Sequence, residues 1–502
     1  MKKILIFLLL LAMLAATACT DPSHVTQASQ PTASHSHVDE DDNGRCDTCQ
    51  QSVLVYIDFY SINDLHGKFA DAQTHPGVDE LTSYFKQARI RDDYVILLSA
   101  GDMWQGSAES NLTKGAIITD WMNELDFTAM TMGNHEYDWG EEFVENNAAM
   151  AEFPFLAINI YDRETQQRVS YCDASAVVEC GELQIGIIGA IGDCYSSISP
   201  DKTEGVYFKT GTELTALVKA ESKRLRDDGV DFIVYMIHDG FGSNASGTIS
   251  DSQLRSYYDI SLSDGYVDLV FEGHSHMTYL LQDSYGVYHL QGGGDNKGIT
   301  HAEIGINSVT GSFVITQKEN VYTSKYQMYP GDVLIRELLD KYADSIAQAN
   351  QVVGINSRDR NRDEVRQLVA QLYLQAGLEK WGGEYDIVLG GGFMSLRSPG
   401  YLAKGEITYG MLQSILPFDN ELVLCSIRGS DLLSKFINTG NTNYFIAKVD
   451  NRQIDPNGTY YIIVDSYTSS YAPNRLTEIA RFDAEVYARD LLADYLATGA
   501  LA

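Results

Sequence analysis

Positive charge is scarce in this sequence. Its 502 residues include 36 lysines and arginines against 69 aspartates and glutamates, which gives a formal net charge of −33. Because a phosphate backbone needs a basic face, this balance argues against a nucleic-acid polymer as partner. A small anionic substrate stays compatible with it, provided that bound cations supply the positive field that the protein as a whole lacks.

Long apolar runs are missing beyond the N-terminus. No stretch after residue 19 reaches the ~18 consecutive apolar residues of a transmembrane helix. Residues 1–19, MKKILIFLLLLAMLAATAC, combine two lysines, an apolar run and a small-residue site, as secretory signals do. The placement of Cys19 resembles the bacterial lipobox. We therefore expect a lipoprotein-type signal peptide and export from a bacterial cell, with a lipid anchor on Cys19 facing the periplasm or exterior; an ordinary cleaved signal is the alternative.

Cysteine is also uncommon, with seven in the chain and six after Cys19. An exported protein invites disulfide pairing. Cys172 and Cys180 are placed to close a hairpin, whereas Cys194 and Cys425 are interpreted as small buried side chains. The sequence leaves the pairing open.

Residues 20–52 contain almost no large apolar side chains and predict an acidic tether containing histidine and cysteine. Four of its residues fall at the first, third, fifth and sixth places of a calcium-binding loop: Asp39, Asp41, Asn43 and Gly44. The twelfth place holds Gln50 instead of the glutamate of an EF-hand. Calcium, zinc held by residues of the 35–49 segment and a plain solvated linker are all open interpretations. The zinc donors would be His35, His37, Cys46 and Cys49.

Residues 53–328 alternate apolar strands with amphipathic helices, which indicates α/β layering. Helical patterns cover 78–92 and 211–228, and 331–350 is interpreted as one long helix within a connector at 329–350. A second α/β unit is expected at 351–502. The strand-like runs of the first unit are 53–60, 94–100, 126–132, 153–160, 183–190, 231–237 and 266–271.

Polar residues cluster where five of these strands end. In open α/β sheets, ligands bind beyond the carboxyl ends of the strands, so clusters distant in sequence can meet there. Their Asp, Asn and His side chains are types that ligate divalent metals. In an extended segment, Asp64 and His66 would point to one side, and Gly67 would let the backbone approach the site. The clusters occupy 63–67, 101–102, 133–136, 238–240 and 273–276.

These clusters read Asp-x-His-Gly, Gly-Asp, Gly-Asn-His-Glu, a later His and Gly-His-x-His. The set resembles the calcineurin-like metallophosphoesterases, specifically their exported 5'-nucleotidase and UDP-sugar hydrolase branch. The resemblance implies a four-layer αββα sandwich followed by a second α/β substrate-specificity domain. It also implies two divalent metal ions, which the imidazole ligands suit as Zn, Mn, Co or Fe. One ion would be held by Asp64, His66, Asp102 and His276. The other would be held by Asp102, Asn134, His238 and His274.

The resemblance implies that a hydroxide bridging the two metals attacks the phosphorus in line. His135 corresponds to the catalytic histidine that stabilises the transition state or protonates the leaving oxygen. Asp138 corresponds to the carboxylate that orients this imidazole. Taken alone, Asp138 is equally consistent with a helix N-cap before the helix that follows.

The C-terminal half resembles the substrate-binding domain of the same family. Phe418 matches an aromatic that stacks on the nucleobase, and Tyr467 lies near the second aromatic of that clamp. The family's Asn-Gly-Gly-Gly-Ile-Arg run is altered here. Leu389 stands at the Asn position and the next arginine is Arg397, so phosphate binding is assigned to Arg397 or to an arginine among 358–362.

The expected function is metal-dependent hydrolysis of extracellular or periplasmic nucleotides, with 5'-nucleotidase as the leading assignment. The changes at 389–397 motivate a second one on the same core: UDP-sugar hydrolase, dinucleotide pyrophosphatase or 2',3'-cyclic-nucleotide phosphodiesterase. A surface binding protein without catalysis is the third. The partner is expected to be a small nucleotide, with membrane contact only through Cys19.

Overall fold

A computed structural model describes residues 35–70, 76–242, 247–248, 265–394, 396–397, 399–471, 474–482 and 486–502. The predicted signal peptide, Cys19 and residues 20–34 of the predicted tether lie outside the described residues. Over the described ranges, every helix falls short of the length and apolar character needed to cross a bilayer.

Six of the seven apolar runs predicted as strands in the first half of the chain contain a strand, because β-branched and aromatic residues favour extended backbone. The run at 153–160 differs from its prediction, since it is extended only at 155–156 and its last residue begins a separate strand in another sheet. In chain order the strands are β1 Leu54–Ile62, β2 Val95–Ser99, β3 Ala129–Thr131, β4 Phe155–Leu156, β5 Ile160–Asp162, β6 Ser175–Cys180, β7 Leu183–Ile191, β8 Val206–Phe208, β9 Phe232–His238, β10 Gly247–Thr248, β11 Leu269–Glu272, β12 Thr278–Gln282, β13 Tyr288–Gly292, β14 Gly298–Asn307, β15 Phe313–Tyr322, β16 Val352–Asn356, β17 Ile387–Phe393, β18 Gly405–Thr408, β19 Leu422–Arg428, β20 Tyr444–Lys448, β21 Thr459–Asp465 and β22 Thr477–Arg481.

The two helices predicted at 78–92 and 211–228 are present as α1 and α5. In chain order the α-helices are α1 Asp79–Arg91, α2 Ala108–Leu112, α3 Ala116–Glu124, α4 Glu141–Met150, α5 Gly211–Asp227, α6 Thr323–Tyr326, α7 Val333–Lys341, α8 Ala343–Ile346, α9 Arg362–Trp381, α10 Tyr409–Ile415, α11 Gly429–Asp431, α12 Ser466–Ser470 and α13 Ala488–Ala497. Short 3-10 helices cover His135–Tyr137, Asp193–Ser197, Pro200–Lys202 and Ala347–Asn350, and a π-helical turn covers Leu432–Ile437.

Two stacked sheets form the centre of the first half of the chain. One has the order β15-β14-β1-β2-β3-β4, and the other β10-β12-β13-β11-β9-β7-β6. Phe59 of the first sheet packs with Phe232 and Phe271 of the second, all fully buried. Helices α1 and α3 cover the outer face of the first sheet, and α5 covers that of the second. These are the four layers of the predicted αββα sandwich.

The strands that lead to the polar clusters run in parallel. β1, β2 and β3 are parallel neighbours, as are β7, β9 and β11. Their carboxyl ends therefore meet at one edge of the sandwich. β1 starts at the opposite edge, where Leu54 pairs with Asn307 near the turn between β14 and β15.

The second half of the chain forms its own α/β unit. A five-stranded sheet has the order β20-β17-β21-β19-β22, and β16 pairs with β18. Helices α9 and α13 pack on this sheet through buried apolar side chains, among them Val369 and Leu492. This second α/β unit was expected after the connector.

The connector differs from its prediction, because the single helix expected over 331–350 is broken at Tyr342. The Tyr342 hydroxyl donates to Asp120 Oδ2 over 2.7 Å, and Lys341 pairs with the same carboxylate. Tyr342 itself leaves helical geometry, with φ −99° and ψ 13°. The break thus coincides with the contact that both residues make with α3.

The suggested pairing of Cys172 with Cys180 is wrong, since all six described cysteines are free thiols. Cys172 belongs to the core beneath the helices, whereas Cys180 lies in the core between the two sheets. The first sheet thus separates the two sulfurs despite their short sequence spacing.

The described part of the predicted tether is packed rather than extended. Asp39 and Cys46 are buried there, at 2% and 0% exposure. Both carboxylate oxygens of Asp39 accept backbone N–H groups, from Asn43 and Gly44. A solvated linker is therefore the wrong description of residues 35–52.

Candidate functional site

The five polar clusters meet at the carboxyl edge of the two sheets. Each of these strand ends contributes one polar side chain, and these side chains face one another across the gap between the sheets. Most of them are almost fully buried, with Asp64 and His238 at 0% exposure. The convergent groups are Asp64 after β1, Asp102 after β2, Asn134 after β3, His238 at the end of β9 and His274 after β11.

One part of the cluster contains Asp64, His66 and His276, whose ligand atoms lie within 4.8 Å of one another. Asp64 Oδ1 is 3.3 Å from His276 Nε2, and the Nε2 atoms of the two histidines are 3.0 Å apart. His66 Nδ1 donates to the Gln105 carbonyl over 3.0 Å. That bond fixes the tautomer and turns Nε2 into the cluster.

The other part is centred on His238. Its Nε2 lies 3.0 Å from Asp102 Oδ2 and 4.0 Å from Asp64 Oδ1. Its Nδ1 donates to the Ala100 carbonyl over 2.6 Å. His274 Nδ1 lies 3.0 Å from Asn134 Oδ1. The Asp64 and Asp102 carboxylates thus lie between the two groups of imidazoles.

The chemistry of this cluster fits divalent cations. His238 Nε2 is buried and, among the described residues, makes no hydrogen bond of suitable angle even though Asp102 Oδ2 is 3.0 Å away, whereas a buried polar atom normally makes one. Burial holds the pKa of His66 well below its usual range, and burial beside His238 lowers that of His274 to about 4. Both imidazoles are therefore neutral at pH 7, the form that binds metals.

The two buried carboxylates of the cluster also require positive charge nearby. Burial opposes protonation of His238, yet Asp102 and Asp64 raise its pKa to about 10. The same buried pair of carboxylates can be neutralised by divalent ions, which also use the neutral imidazoles as ligands.

The direction of the side chains in the cluster is set by left-handed backbone conformation and not by the alternation of a strand. The expectation of an extended segment at Asp64 and His66 is wrong, because both have left-handed φ angles of 51° and 50°. Left-handed non-glycine residues cost about 1–3 kcal/mol each and concentrate at functional sites. Gly67 also has a positive φ of 61°, and a Cβ there would lie 2.6 Å from the Trp104 carbonyl oxygen. The other left-handed members are Asp102, His274 and His276.

Glu136 supports the cluster and was not singled out from the sequence. Its buried carboxylate accepts the backbone N–H groups of Asp102 at 2.9 Å, Met103 at 2.8 Å and Gly133 at 2.8 Å. Burial, reinforced by Asp102, raises its pKa to about 7. Glu136 thus ties the loop after β2 to the loop after β3. Its position next to His135 in the Gly-Asn-His-Glu motif is the sequence feature that could have identified it.

His135 lies at the mouth of the cluster, held from both sides. Its Nδ1 is 2.7 Å from Asp138 Oδ2, and its backbone N–H donates to Asp102 Oδ1 over 2.8 Å. The N-cap interpretation of Asp138 is wrong, because Gly140 is the N-cap of the following helix. Asp138 instead ends the short 3-10 helix that begins at His135.

The C-terminal unit closes the site from the other side. Arg397 Nη2 lies 2.5 Å from His135 Nε2, and the guanidinium carbon is 5.6 Å from the centre of the Phe418 ring. Arg397 Nε is buried and has no hydrogen-bond partner within the described ranges. Lys114 of the first unit pairs with Asp419 over 2.6 Å, next to Phe418. A cleft therefore lies between the two units.

Phe418 and Tyr467 both line this cleft, together with Phe393, which was not singled out. Lys202 and the buried carboxylate of Asp465 line it as well; no motif in the sequence marked either of them. Leu389 is buried in the core beneath the sheet, so the residue at the altered motif position does not face the cleft.

The other three arginines considered for phosphate binding have partners elsewhere. Arg358 pairs with Glu364 at 2.6 Å, and Arg360 donates to Asn356. Arg362 donates to the Leu396 carbonyl, next to Arg397. Arg362 thus supports the loop that carries Arg397 into the cleft.

Comparison with known proteins agrees with this site. Residues 57–278 match the family described as calcineurin-like phosphoesterase. The chain is 25% identical over 460 residues to Protein UshA of Yersinia enterocolitica, covering 79% of this chain and 80% of that one. It is 25% identical over 420 residues to a 5'-nucleotidase of Diplobatis ommata, covering 74% and 69%. A 5'-nucleotidase precursor from Thermus thermophilus shares the fold, with a TM-score of 0.67 at 21% identity over 88% and 96% of the two chains.

The αββα fold and its cluster of carboxylates and imidazoles define a metal-dependent phosphoric-ester hydrolase. Residues 57–278 form a calcineurin-like phosphoesterase domain, and over most of its length the chain is similar to a 5'-nucleotidase and shares the two-domain fold of such a protein. The predictions of this family and of an enzyme are confirmed.

Proposed function

We propose that the protein hydrolyses nucleoside 5'-monophosphates to nucleoside and phosphate. The observation that carries this proposal is the composition of the cleft. One wall offers His135 together with Asn134 and His274, the members of the carboxylate and imidazole cluster that reach the cleft, and the opposite wall offers Arg397 and aromatic rings. A nucleotide complements this cleft, because it joins an anionic phosphate to a flat aromatic base.

Two divalent cations complete the phosphate end. One would be held by Asp64, His66, Asp102 and His276, the other by Asp102, Asn134, His238 and His274. The abundance of imidazole favours Zn, Mn, Co or Fe over Ca. When bound, such ions neutralise phosphoryl charge and lower the pKa of a coordinated water, which provides the nucleophile.

The chain's own residues orient the ester and handle the leaving oxygen. Asp138 accepts the Nδ1 proton of His135, so Nε2 is the atom that faces the substrate. In its protonated form, Nε2 would donate to the leaving oxygen. Arg397 presents its guanidinium at the same point and matches a phosphate by paired hydrogen bonds.

The aromatic end would hold the base. Phe418 lies beside His135, with ring centres 6.1 Å apart, so a base against Phe418 leaves the ester close to His135. Tyr467 and Phe393 extend the aromatic surface, with their ring centres 5.8 Å apart. Every nucleobase can stack on an aromatic ring, which predicts weak discrimination among nucleotides.

Replacing Phe418 by alanine should weaken nucleotide binding. A lost stack of ~1–3 kcal/mol corresponds to a KM for AMP raised about 5- to 150-fold, with a smaller effect on kcat. Steady-state kinetics on AMP and on ribose 5-phosphate, which has no aromatic ring, measure this effect. Tyr401→Ala, at an exposed ring of the same unit, is the matched control. An equal rise of KM on both substrates would contradict base stacking.

A substrate panel tests the proposed function itself. Protein spanning residues 20–502 would be treated with EDTA, reloaded with Mn or Zn, and assayed on AMP, UDP-glucose, a 2',3'-cyclic nucleotide and bis(p-nitrophenyl) phosphate. A coupled phosphatase would be added with the last three, so that the monoesters formed from them also release phosphate. We expect metal-restored phosphate release to be highest on AMP. Activity confined to diesters or UDP-sugars would instead support the second assignment, which the altered 389–397 run motivates.

We also propose export and a lipid anchor at Cys19, on the basis of the leader sequence. Mass spectrometry of protein isolated from bacterial membranes tests both. A mature N-terminus at acylated Cys19 is expected, and an unmodified chain in the soluble fraction would overturn the anchor.

A further inference from the structure

A second group of metal-binding side chains lies far from the catalytic cluster. His35, His37, Cys46 and Cys49 place their ligand atoms within 4.8 Å of one another. They lie on a compact segment, residues 35–52, that precedes β1. The catalytic cluster lies at the other end of β1, whose nine residues span ~30 Å at about 3.3 Å per residue.

The spacing of the four donors fits one tetrahedral zinc ion. His35 Nε2 is 3.4 Å from Cys46 Sγ, and His37 Nδ1 is 3.6 Å from Cys49 Sγ. Zinc bonds of ~2.3 Å to sulfur and ~2.0–2.1 Å to nitrogen place tetrahedral donors roughly 3.6 Å apart. Neither pair therefore needs to move far to share an ion.

The segment around these donors is already folded into a turn. Cys46 N donates to the Gln51 carbonyl at 2.9 Å, and Gln50 N donates to the Cys46 carbonyl at 2.8 Å. Asp47 N donates to the Val38 carbonyl at 2.8 Å, which brings the segment that carries the two histidines against the turn that carries the two cysteines. The Cys-x-x-Cys spacing supplies both sulfurs from one turn, as structural zinc sites do.

The acidic residues of the segment have another role. Asp39 accepts a hydrogen bond from Asn307 Nδ2 at 2.7 Å, in addition to its two backbone donors. Asp42 accepts hydrogen bonds from Thr310 at 2.7 Å and Ser312 at 2.6 Å. These contacts fasten the segment to the turn between β14 and β15. The Asp39 oxygens are thus occupied, which weakens the calcium interpretation.

We propose that His35, His37, Cys46 and Cys49 bind one structural zinc ion that fixes the chain where it enters the catalytic domain. The ion closes a segment that has too few apolar side chains to fold on a core of its own. Because the site lies across the sandwich from the cleft, its loss should leave turnover intact. The proposal does not depend on the substrate.

Metal content tests the proposal. Protein spanning residues 20–502 would be stripped, reloaded with zinc, desalted and measured by elemental mass spectrometry. Cys46→Ser/Cys49→Ser and His35→Ala/His37→Ala should each hold one zinc per chain fewer than the parent, with kcat on AMP changed less than twofold. Cys425→Ser and His24→Ala are the matched controls and should keep the full content.

Cobalt identifies the ligands independently. The parent loaded with Co²⁺ should show an intense thiolate-to-cobalt absorption that disappears in Cys46→Ser/Cys49→Ser. Cys194 lies beside His238 and His274 in the catalytic cluster, so Cys194→Ser is the necessary control and should keep the absorption.

Three results would overturn the proposal. One is equal zinc content in the parent and the Cys46→Ser/Cys49→Ser variant. Another is a Cys46–Cys49 disulfide in the isolated protein, seen as a chain two hydrogens lighter that does not gain zinc after reduction. The third is protection of residues 35–53 from proteolysis by calcium but not by zinc, which would assign the segment to the calcium loop.

Discussion

Asp102→Asn is expected to lower kcat/KM on the best substrate by about 10³-fold or more. Asp102 Oδ2 lies 3.0 Å from His238 Nε2, and the proposed metal pair shares this carboxylate. Asparagine keeps the size and tolerates the left-handed backbone at φ 57°. It removes the negative charge, and several kcal/mol of metal-dependent stabilisation amount to roughly three decades in rate. Kinetics together with elemental analysis measure the loss, and we expect at least one metal per chain to be lost.

Asp228→Asn is the control for this variant, since its carboxylate pairs with Arg224 on an exposed helix. It should change neither metal content nor turnover. Circular dichroism of both variants checks the fold. Turnover by Asp102→Asn near that of the parent, with both metals present, would show that this carboxylate does not bridge the ions.

His135→Ala is expected to lower kcat on AMP by about 10²- to 10⁴-fold, the range of a lost general acid. Its imidazole faces the cleft between Asp138 and Arg397, so metal content should stay at the level of the parent. The leaving group separates two possible roles. If Nε2 protonates the leaving oxygen, p-nitrophenyl phosphate should lose much less activity than AMP, because nitrophenolate leaves without a proton.

Asp138→Asn provides the graded comparison. It keeps the imidazole and removes the charged acceptor at Nδ1, so its effect on kcat should fall between those of the parent and His135→Ala. Equal losses on AMP and p-nitrophenyl phosphate would assign His135 to stabilisation of phosphoryl charge. Unchanged kcat in His135→Ala would remove the residue from the mechanism.

Strands and motifs were predictable from this sequence because both depend on local patterns. The apolar run at 231–237 corresponds to the strand Phe232–His238, so the sequence correctly placed His238 at the carboxyl end of a strand. Five polar strand ends imply a shared edge by the topology of parallel sheets. The convergence of Asp64, Asp102 and His274 follows from these two facts.

Features set by tertiary contacts were not predictable. The contact of Arg397 with His135 joins residues 262 positions apart and depends on how the second unit packs on the first. The break at Tyr342 coincides with its hydrogen bond to Asp120, a distant contact that the helix propensity of the connector does not reveal. Left-handed backbone at His66 arises from the loop's contacts with residues 102–107, among them the His66 N–H donated to the Asp102 carbonyl at 3.0 Å.

The direction of β1 gives the molecule an orientation. The chain enters the sandwich at Leu54, and the same strand ends at the catalytic edge. With the proposed lipid anchor at Cys19, the cleft would lie at the end of the sandwich farther from the point where the chain enters it, beyond the ~30 Å length of that strand. Substrate would then arrive from the surrounding medium without passing between protein and lipid. Under the proposed function, the nucleoside and phosphate would leave by the same route, so a transporter in the membrane would capture them only after diffusion around the enzyme.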